Sequence, residues 1–238
     1  MTLQKVIRAL KGVIIAPTCP ICGRRLTPQE SFVCLDCQLA APYTHLWQSR
    51  DNAMEQRFWG IVPIERAAAF LWFTEGSKWR EIIHEFKYHS HWFLAEQSAE
   101  WFASELLRTD FFEGIDLIVP VPLHWHRRLS RGYNQSEYIA TGISHKTKIP
   151  YTFNAVKRIV DNPPQAGANF LDRWQNIDNI FTVARPEALE GRHILLVDDV
   201  FTSGATLTTL SNAILTACKE NVKISVATIA ATRHLIEK

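Results

Sequence analysis

The sequence lacks any long apolar run, and its positive and negative charges nearly cancel. A membrane-spanning helix needs about 20 consecutive apolar residues, and no stretch of the chain approaches that length. Within segment 1–16, Lys5, Arg8 and Lys11 interrupt the apolar residues, which argues against a signal peptide and predicts an amphipathic helix. We therefore expect a cytoplasmic protein with no membrane span.

The near balance of charge limits the function classes that the composition allows. The 26 basic and 24 acidic residues leave a formal net charge of +2, which is too small for a protein that binds polyanions through its overall charge. Affinity for phosphate or nucleic acid must come from local clusters, such as Arg127, Arg128 and Arg131. A length of 238 residues, 47% of them hydrophobic, suits one α/β domain and a small appendage.

Cysteine is scarce, and four of the five cysteines lie in one short segment. Two Cys-x-x-Cys pairs, Cys19 with Cys22 and Cys34 with Cys37, can each place two thiolates on one turn. Two such turns complete a tetrahedral site, for which all-thiolate ligation favours a structural zinc ion, with iron as the alternative. The competing interpretation is reduced thiols packed as small apolar groups, which is how we interpret Cys218.

Strand and helix patterns alternate through the rest of the chain. Strands are predicted at 61–73, 116–121, 193–197 and 222–229. Helices are predicted at 79–106 with a break near 89–91, at 135–143 and at 205–218. Because this alternation favours a mostly parallel sheet with helices on both faces, we expect an α/β three-layer sandwich over 46–238, after an N-terminal helix and zinc-binding module over 1–45. Segment 161–176 has a double proline and little periodicity, which predicts a long mobile loop.

Residues 195–206 form the most specific pattern in the sequence. An apolar strand delivers Asp198 and Asp199 to its carboxyl end, where ligands bind in open α/β sheets. The two carboxylates suit the vicinal hydroxyls of a ribose, directly or through a divalent ion. The alternative is a strand that ends in solvated acids ahead of an ordinary capped helix.

A short loop leads from these acids into a helix. Its residues are Thr202, Ser203, Gly204, Ala205 and Thr206. Backbone N–H groups, the hydroxyls and the positive end of the helix dipole would form a phosphate cradle, and Gly204 would allow the backbone to approach the phosphate closely. One pocket would then hold both ends of a ribose 5-phosphate.

This segment resembles the phosphoribosyl-pyrophosphate (PRPP) signature of type I phosphoribosyltransferases. The chain is also similar to the ComF (GntX-like) family of that fold, which is linked to competence for DNA uptake. The residues that carry this second likeness are Val119-Pro120-Val121-Pro122-Leu123, Arg127, Arg128, Arg131-Gly132-Tyr133-Asn134-Gln135, Lys87-Tyr88, Gln165, Arg173, Asn176 and the two cysteine pairs. The likeness covers nearly the whole chain and implies a type I phosphoribosyltransferase-like fold with an N-terminal zinc module.

The resemblance implies an enzyme that uses PRPP and Mg²⁺ to transfer a phosphoribosyl group to an unidentified acceptor, with release of pyrophosphate. It implies PRPP binding by Asp198, Asp199, Thr202, Ser203, Gly204, Ala205 and Thr206. It implies a pyrophosphate loop that includes Leu123, Arg127, Arg128, Gly132, Asn134 and Gln135. The candidates for stabilising the charge of the departing pyrophosphate are Lys87, Arg131 and Arg173. A solvated basic loop is the alternative interpretation of the arginines at 127–131.

Thr202 occupies the position at which purine-salvage members of the superfamily carry an acid, which argues against a free purine as acceptor.

A rival hypothesis is a non-catalytic PRPP-sensing protein that binds single-stranded DNA or a protein partner in DNA uptake. The aromatic residues near basic ones that would stack on bases in that case are Trp47, Trp59, Trp125 and Tyr133, although aromatic residues are more often core. The scattered histidines, among them His124 and His126, are interpreted as loop or surface residues.

Overall fold

The structure is a computed structural model that describes residues 17–86, 91–161 and 180–233. Internal contacts divide the chain after Pro42 into two compact units. None of the helices in the described ranges is long and apolar enough to cross a membrane. The helix predicted within 1–16 and most of the mobile loop predicted at 161–176 lie outside the described residues.

The first unit has very little regular structure. Its described part contains one short helix, α1 (Leu35–Leu39), and an isolated antiparallel bridge between Thr18 and Arg25. The Glu30 carboxylate accepts hydrogen bonds from the backbone N–H groups of Thr27, at 2.8 Å, and Leu35, at 2.7 Å. Local hydrogen bonds of this kind organise the loops. A unit this small buries little apolar surface, which is the main source of stability in a larger domain.

The second unit is built on a parallel sheet. Its four strands are β1 (Ala67–Trp72), β2 (Leu117–Pro120), β5 (His193–Phe201) and β6 (Lys223–Ala231), and a separate antiparallel pair is formed by β3 (Val156–Arg158) and β4 (Phe181–Val183). The order in the parallel sheet is β1-β6-β5-β2. The predicted parallel α/β architecture is confirmed, whereas the pair β3-β4 was not predicted.

Helices cover both faces of this sheet. They are α2 (Lys78–Glu85), α3 (Trp92–Leu106), α4 (Trp125–Arg131), α5 (Gln135–Thr147) and α6 (Ala205–Ala217). On one face, α6 buries Leu210 and Ile214 against alternate strand residues such as Leu196. On the other face, Phe70 of β1 stacks on Phe102 of α3 with ring centroids 4.9 Å apart. Because successive strand residues point to opposite faces, the apolar residues of each strand pack against the helices on both sides of the sheet. The three-layer arrangement is therefore confirmed.

Helices α3 and α5 approach each other unusually closely at Gly142. A Cβ atom on Gly142 would lie 2.9 Å from the Cβ of Ala99, and closer still to the carbonyl oxygen of Glu96. Real Cβ atoms almost never come this close to other heavy atoms. Gly142 therefore sets the spacing of the helix pair that covers this face of the sheet.

An ion-pair network ties the segment before β1 to the loop after α3. Buried Arg66 donates through Nε to Glu55 Oε1 at 3.3 Å and through Nη1 to Asp110 Oδ1 at 2.8 Å. Arg50 Nη2 donates to the other oxygen, Asp110 Oδ2, at 2.7 Å. These hydrogen bonds from Arg66 and Arg50 lower the pKa of Asp110 to about 2 because they favour the charged carboxylate.

The Asp110 network predicts a pH-dependent stability difference. Because the folded-state pKa of Asp110 lies below the unfolded value of about 3.9, its contribution is complete at neutral pH and is lost as the pH falls towards about 2. Urea denaturation should therefore show Asp110→Asn less stable than the wild type at pH 7, with a gap that shrinks below about pH 4. Asp51→Asn, at an exposed position outside these hydrogen bonds, is the control. A difference in free energy of unfolding that stays constant down to about pH 2 would contradict the role given to Asp110.

Candidate functional site

The two acids of the predicted site lie near the carboxyl end of β5. The strand was predicted to end at Val197, but it continues through Asp198 and Asp199 to Phe201. Asp199 is buried, with an exposed fraction of 6%, and Asp198 is half-buried. Carboxylates at this edge of a parallel sheet stand where ligands of open α/β folds bind.

The loop after β5 has the features of an anion cradle. Gly204 is the N-cap of α6 in the left-handed conformation, with φ of 80°. A Cβ atom on Gly204 would also lie 2.8 Å from Cζ of Phe201, so both the backbone angle and the underlying ring demand glycine. Thr202, Ser203, Ala205 and Thr206 are exposed around it, at the positive end of a helix of 13 residues.

The first turn of α5 holds the two acids in place. Ser136 Oγ donates to Asp198 Oδ1 at 3.0 Å, and Gln135 Nε2 lies 3.4 Å from Asp199 Oδ2 in a long hydrogen bond. Arg131 Nη1 in turn donates to Gln135 Oε1 at 3.2 Å. A guanidinium, an amide and a carboxylate thus form one hydrogen-bonded chain. Ser136 was missed by the sequence analysis, although it directly follows the run that ends at Gln135.

Tyr133 and Asn134 fix α5 on the rest of the domain. Asn134 is buried, accepts from Ser136 N at 3.2 Å as the N-cap, and donates to Val121 O at 3.0 Å. Tyr133 OH donates to Phe86 O at 2.7 Å, and burial raises the pKa of this phenol. The predicted pyrophosphate contact of Asn134 stays a prediction, but the observed bonds give the residue a positioning role.

The arginines that follow β2 lie on a helix and not, as predicted, on a loop. The segment forms α4, which is capped by His124 at its start and ends at Gly132, with φ of 81°. Arg128 makes two hydrogen bonds to the Glu137 carboxylate, at 2.6 and 3.2 Å, and Arg127 Nε lies 3.3 Å from Asp161 Oδ1. Leu123 is half-buried just before the cap.

One further cation near the acids comes from β3. Arg158 is half-buried, and its pKa is lowered by burial and by the neighbouring charge of Arg127, while Asp198 acts in the opposite direction. The charge of Asp198 therefore acts on the Arg158 guanidinium. Sequence reasoning missed it because β3 is only three residues long. The predicted residues Lys87 and Arg173, with Gln165 and Asn176, lie outside the described residues.

The four clustered cysteines of the first unit converge, as their spacing predicts. Their Sγ atoms all lie within 4.8 Å of one another, and the Cys22 and Cys34 sulfurs are 3.6 Å apart without a disulfide. Tetrahedral zinc with Zn–S bonds of about 2.3 Å has sulfurs about 3.8 Å apart, so the cluster could hold a metal ion such as zinc. Cys19 and Cys34 are buried, Cys37 is half-buried and Cys22 is exposed.

Electrostatics in the cysteine cluster favour ionisation of one thiol over another. Burial opposes ionisation of Cys19, but hydrogen bonds from the backbone of Cys34, Cys22 and Ile21 lower its pKa to about 7. Burial, together with hydrogen bonds and charge from the neighbouring cysteines, raises the pKa of Cys37. A thiolate is the form that binds metal, and a bound cation would favour ionisation of all four.

A cavity of about 570 Å³ lies at the opposite edge of the sheet. It is lined at the amino ends of three strands by Asp116, His193 and Lys223, among other residues. Both acidic and basic residues line it, and none of the predicted site residues does. The chemistry of the acid pair and the loop therefore belongs to the carboxyl edge and not to this cavity.

Sequence comparison identifies relatives of the chain. It is 31% identical to competence protein F of Haemophilus influenzae over 147 residues, which are 60% of this chain and 64% of that protein. It is 28% identical to the DNA utilization protein YhgH of Escherichia coli over 200 residues, which are 83% of each chain. The chain is a homologue of these proteins. Its match to competence protein F spans less than two thirds of that relative's length, and no protein-family model matches the chain.

More distant similarities extend the comparison. The chain is 25% identical to competence protein ComFC of Bacillus subtilis over 192 residues, covering 79% of this chain and 68% of that protein. Among solved structures, it resembles the glutamine PRPP amidotransferase from B. subtilis complexed with ADP and GMP, with 18% identity and a TM-score of 0.37. That match covers 61% of this chain and 30% of the amidotransferase. The fold assignment rests on the sheet and helices described above.

Proposed function

We propose that the protein binds PRPP with Mg²⁺ at the carboxyl end of β5 and transfers the phosphoribosyl group to an acceptor. The observation that carries this proposal is the order of parts along the chain: Asp198 and Asp199, then Gly204 in the left-handed conformation, then the N-terminus of α6. The names of the relatives, which refer to competence and DNA utilization, favour a role in handling DNA.

The arrangement suits both ends of the sugar phosphate. The ribose hydroxyls would donate to the carboxylates of Asp198 and Asp199, in place of the bonds that Ser136 and Gln135 now make. The 5-phosphate would accept from backbone N–H groups at the start of α6. Mg²⁺ would be held by PRPP oxygens and these carboxylates, and it would neutralise charge on the leaving group.

Pyrophosphate departure requires cations placed in advance. The bond from the anomeric carbon to the pyrophosphate oxygen breaks, and the acceptor's nucleophilic atom forms the new bond to the same carbon. The oxygen that leaves gains negative charge, which Arg127, Arg131 and Arg158 would stabilise from α4 and β3. Thr202 offers a hydroxyl and no basic carboxylate, so the acceptor must lose its proton to another group.

In the same proposal, Cys19, Cys22, Cys34 and Cys37 bind one structural zinc ion. Four protein ligands leave no coordination position for water or substrate. The ion would stabilise the first unit, whose described part has little regular structure.

Calorimetric titration of PRPP and Mg²⁺ into the wild type and Asp199→Asn tests the proposed site. The substitution keeps the shape of the side chain but removes the charge, so we expect PRPP affinity to fall about 10- to 100-fold, as for the loss of a charge-assisted hydrogen bond worth about 1.5–3 kcal/mol. The matched control is Asp116→Asn, whose carboxylate accepts from His193 N at the opposite edge of the sheet. Absence of binding by the wild type, or equal affinity in the two proteins, would contradict the proposal.

A second candidate function is a PRPP-sensing protein that contacts single-stranded DNA without catalysis. Trp125 favours it, because this side chain is 57% exposed on α4 and lies two residues from Arg127. Trp59 is also exposed, whereas Trp47 and Tyr133 are buried and their rings are unavailable for stacking. Fluorescence anisotropy of labelled DNA at two salt concentrations should then show salt-dependent binding that Trp125→Ala weakens. Release of pyrophosphate from PRPP with an acceptor would favour the enzyme instead.

A further inference from the structure

Two histidines and one aspartate meet beside α4, away from the cysteine cluster. His124 is the N-cap of α4, His126 lies in its first turn, and Asp161 follows β3. His124 Nδ1 is 3.4 Å from Asp161 Oδ1, and His126 Nδ1 is 3.3 Å from Asp161 Oδ2. One ligand atom from each residue lies within 4.8 Å of those of the other two. His124, which the sequence analysis interpreted as a loop or surface residue, is buried with an exposed fraction of 5%.

The hydrogen bond of the His124 side chain argues against a simple ion pair with Asp161. His124 Nδ1 accepts a long hydrogen bond from His126 N at 3.4 Å, so in this geometry the nitrogen acts as a hydrogen-bond acceptor. Asp161 Oδ1, which is also an acceptor, lies 3.4 Å from the same nitrogen, and two acceptors this close repel each other. A cation placed between them would turn the repulsion into attraction.

Asp161 gives a second, independent indication. Its Oδ1 atom is buried and has no hydrogen-bond partner among the described residues. Arg127 Nε is 3.3 Å away, which is an ion-pair distance without the geometry of a hydrogen bond. A buried carboxylate oxygen without a hydrogen bond is unfavourable, and coordination to a metal ion would give it a partner.

The separations match those of a metal site. Ligands bound to a tetrahedral ion by N and O bonds of about 2.0–2.1 Å lie about 3.3–3.4 Å apart. The two imidazole-to-carboxylate distances, 3.4 Å to Oδ1 and 3.3 Å to Oδ2, are close to that spacing. They end on different oxygens of Asp161, so the carboxylate would bind the ion through both oxygens or turn slightly to offer one. The Cys22 and Cys34 sulfurs, 3.6 Å apart, lie near the separation of about 3.8 Å expected for the longer Zn–S bonds.

We propose that His124, His126 and Asp161 bind a divalent transition-metal ion such as zinc, with a fourth position open to an oxygen ligand. Imidazole and carboxylate ligands suit zinc and its neighbours in the first transition series, and three protein ligands leave the kind of open position that catalytic zinc sites have. The ion would join the start of α4 to the end of β3, the two elements that carry Arg127 and Arg158. The open position would accept a water or phosphate oxygen.

The test counts metal ions in the full chain. Protein that retains its cysteine-bound metal is incubated with Zn²⁺ or Co²⁺, passed through a desalting column and analysed for bound metal. We expect the wild type to hold about one equivalent more than His126→Ala or Asp161→Asn. In the Co²⁺ protein, the additional ion should give absorption bands without the thiolate charge-transfer bands of the cysteine site. His126 is well exposed, with 57% of its side chain accessible, so its substitution should leave the circular dichroism spectrum unchanged.

His145→Ala is the matched control. His145 lies 3.2 Å from Glu96 Oε1 and 3.2 Å from Glu100 Oε1, in another cluster of potential ligands. We expect this variant to keep the additional equivalent. A wild type that binds only the cysteine-site ion, an additional ion retained in His126→Ala, or an additional ion lost in His145→Ala would each overturn the proposal. None of these outcomes depends on PRPP binding, so the two proposals fail separately.

Discussion

Cys34→Ser is expected to abolish metal binding by residues 17–42 and to unfold that unit. Cys34 is buried with an exposed fraction of 1%, and its sulfur lies 3.6 Å from that of Cys22. A serine hydroxyl is a much poorer ligand than a thiolate, and structural zinc sites supply about 10 kcal/mol or more of apparent binding free energy at neutral pH. The described part of the unit has one helix of five residues, which cannot replace that contribution.

Elemental zinc analysis and limited proteolysis would measure this effect. The variant should lose about one zinc equivalent and become cleavable between residues 17 and 42, while the domain from residue 43 onward keeps its thermal transition. Cys218→Ser is the matched control, because Cys218 is equally buried but lies in the core against Pro186 O. Full zinc content in Cys34→Ser, or loss of zinc in Cys218→Ser, would refute the assignment of the four cysteines.

Gly142→Ala is expected to destabilise the second unit by about 3 kcal/mol, at the upper end of the range for overpacked cores. The new methyl group would overlap Ala99 and the backbone of Glu96, so α3 and α5 would have to separate. Alanine favours a helix over glycine by about 1 kcal/mol, but this gain is smaller than the cost of separating two packed helices. Urea denaturation followed by circular dichroism would give the change in free energy of unfolding.

The control for Gly142→Ala is Lys146→Ala, an exposed position on the same helix. Its stability should change by less than about 0.5 kcal/mol. A Gly142→Ala protein as stable as the wild type would show that α3 and α5 can move apart at little cost, contrary to the packing described.

The elements around the candidate site that were predicted correctly are those set by local sequence. The acids, the loop and the following helix are contiguous, so hydrophobic pattern and glycine position were sufficient to locate them. The end of β5 was wrong because its last residues are held by distant partners: Asp198 lies opposite Thr228 and Phe201 opposite Ala231 in β6. The sequence around β5 contains no pattern that identifies a strand partner so distant in the chain.

Helix α4 and the contacts of Asp198 and Asp199 could not be predicted from local sequence either. None of the seven residues of α4 is buried, so the segment has no periodic apolar pattern from which a helix could be predicted. The helix begins after His124 and ends before Gly132. Ser136 of α5 donates a hydrogen bond to Asp198, and Arg158 of β3 interacts with its charge. Only the folded chain brings these three residues together, which is why sequence reasoning named one of them and missed two.

The position of β6 in the sheet has a consequence for how the chain acquires its structure. This strand is the last described one in chain order, yet it lies between β1 and β5, with Ala67 opposite Val226 and Leu196 also opposite Val226. During synthesis, β1 therefore leaves the ribosome long before its partner exists, and contacts of such large sequence separation form slowly. A nascent chain that ends before β6 would present the edges of β1 and β5 unpaired, which are surfaces prone to aggregation. The four-stranded sheet can therefore form only after β6 has been synthesised.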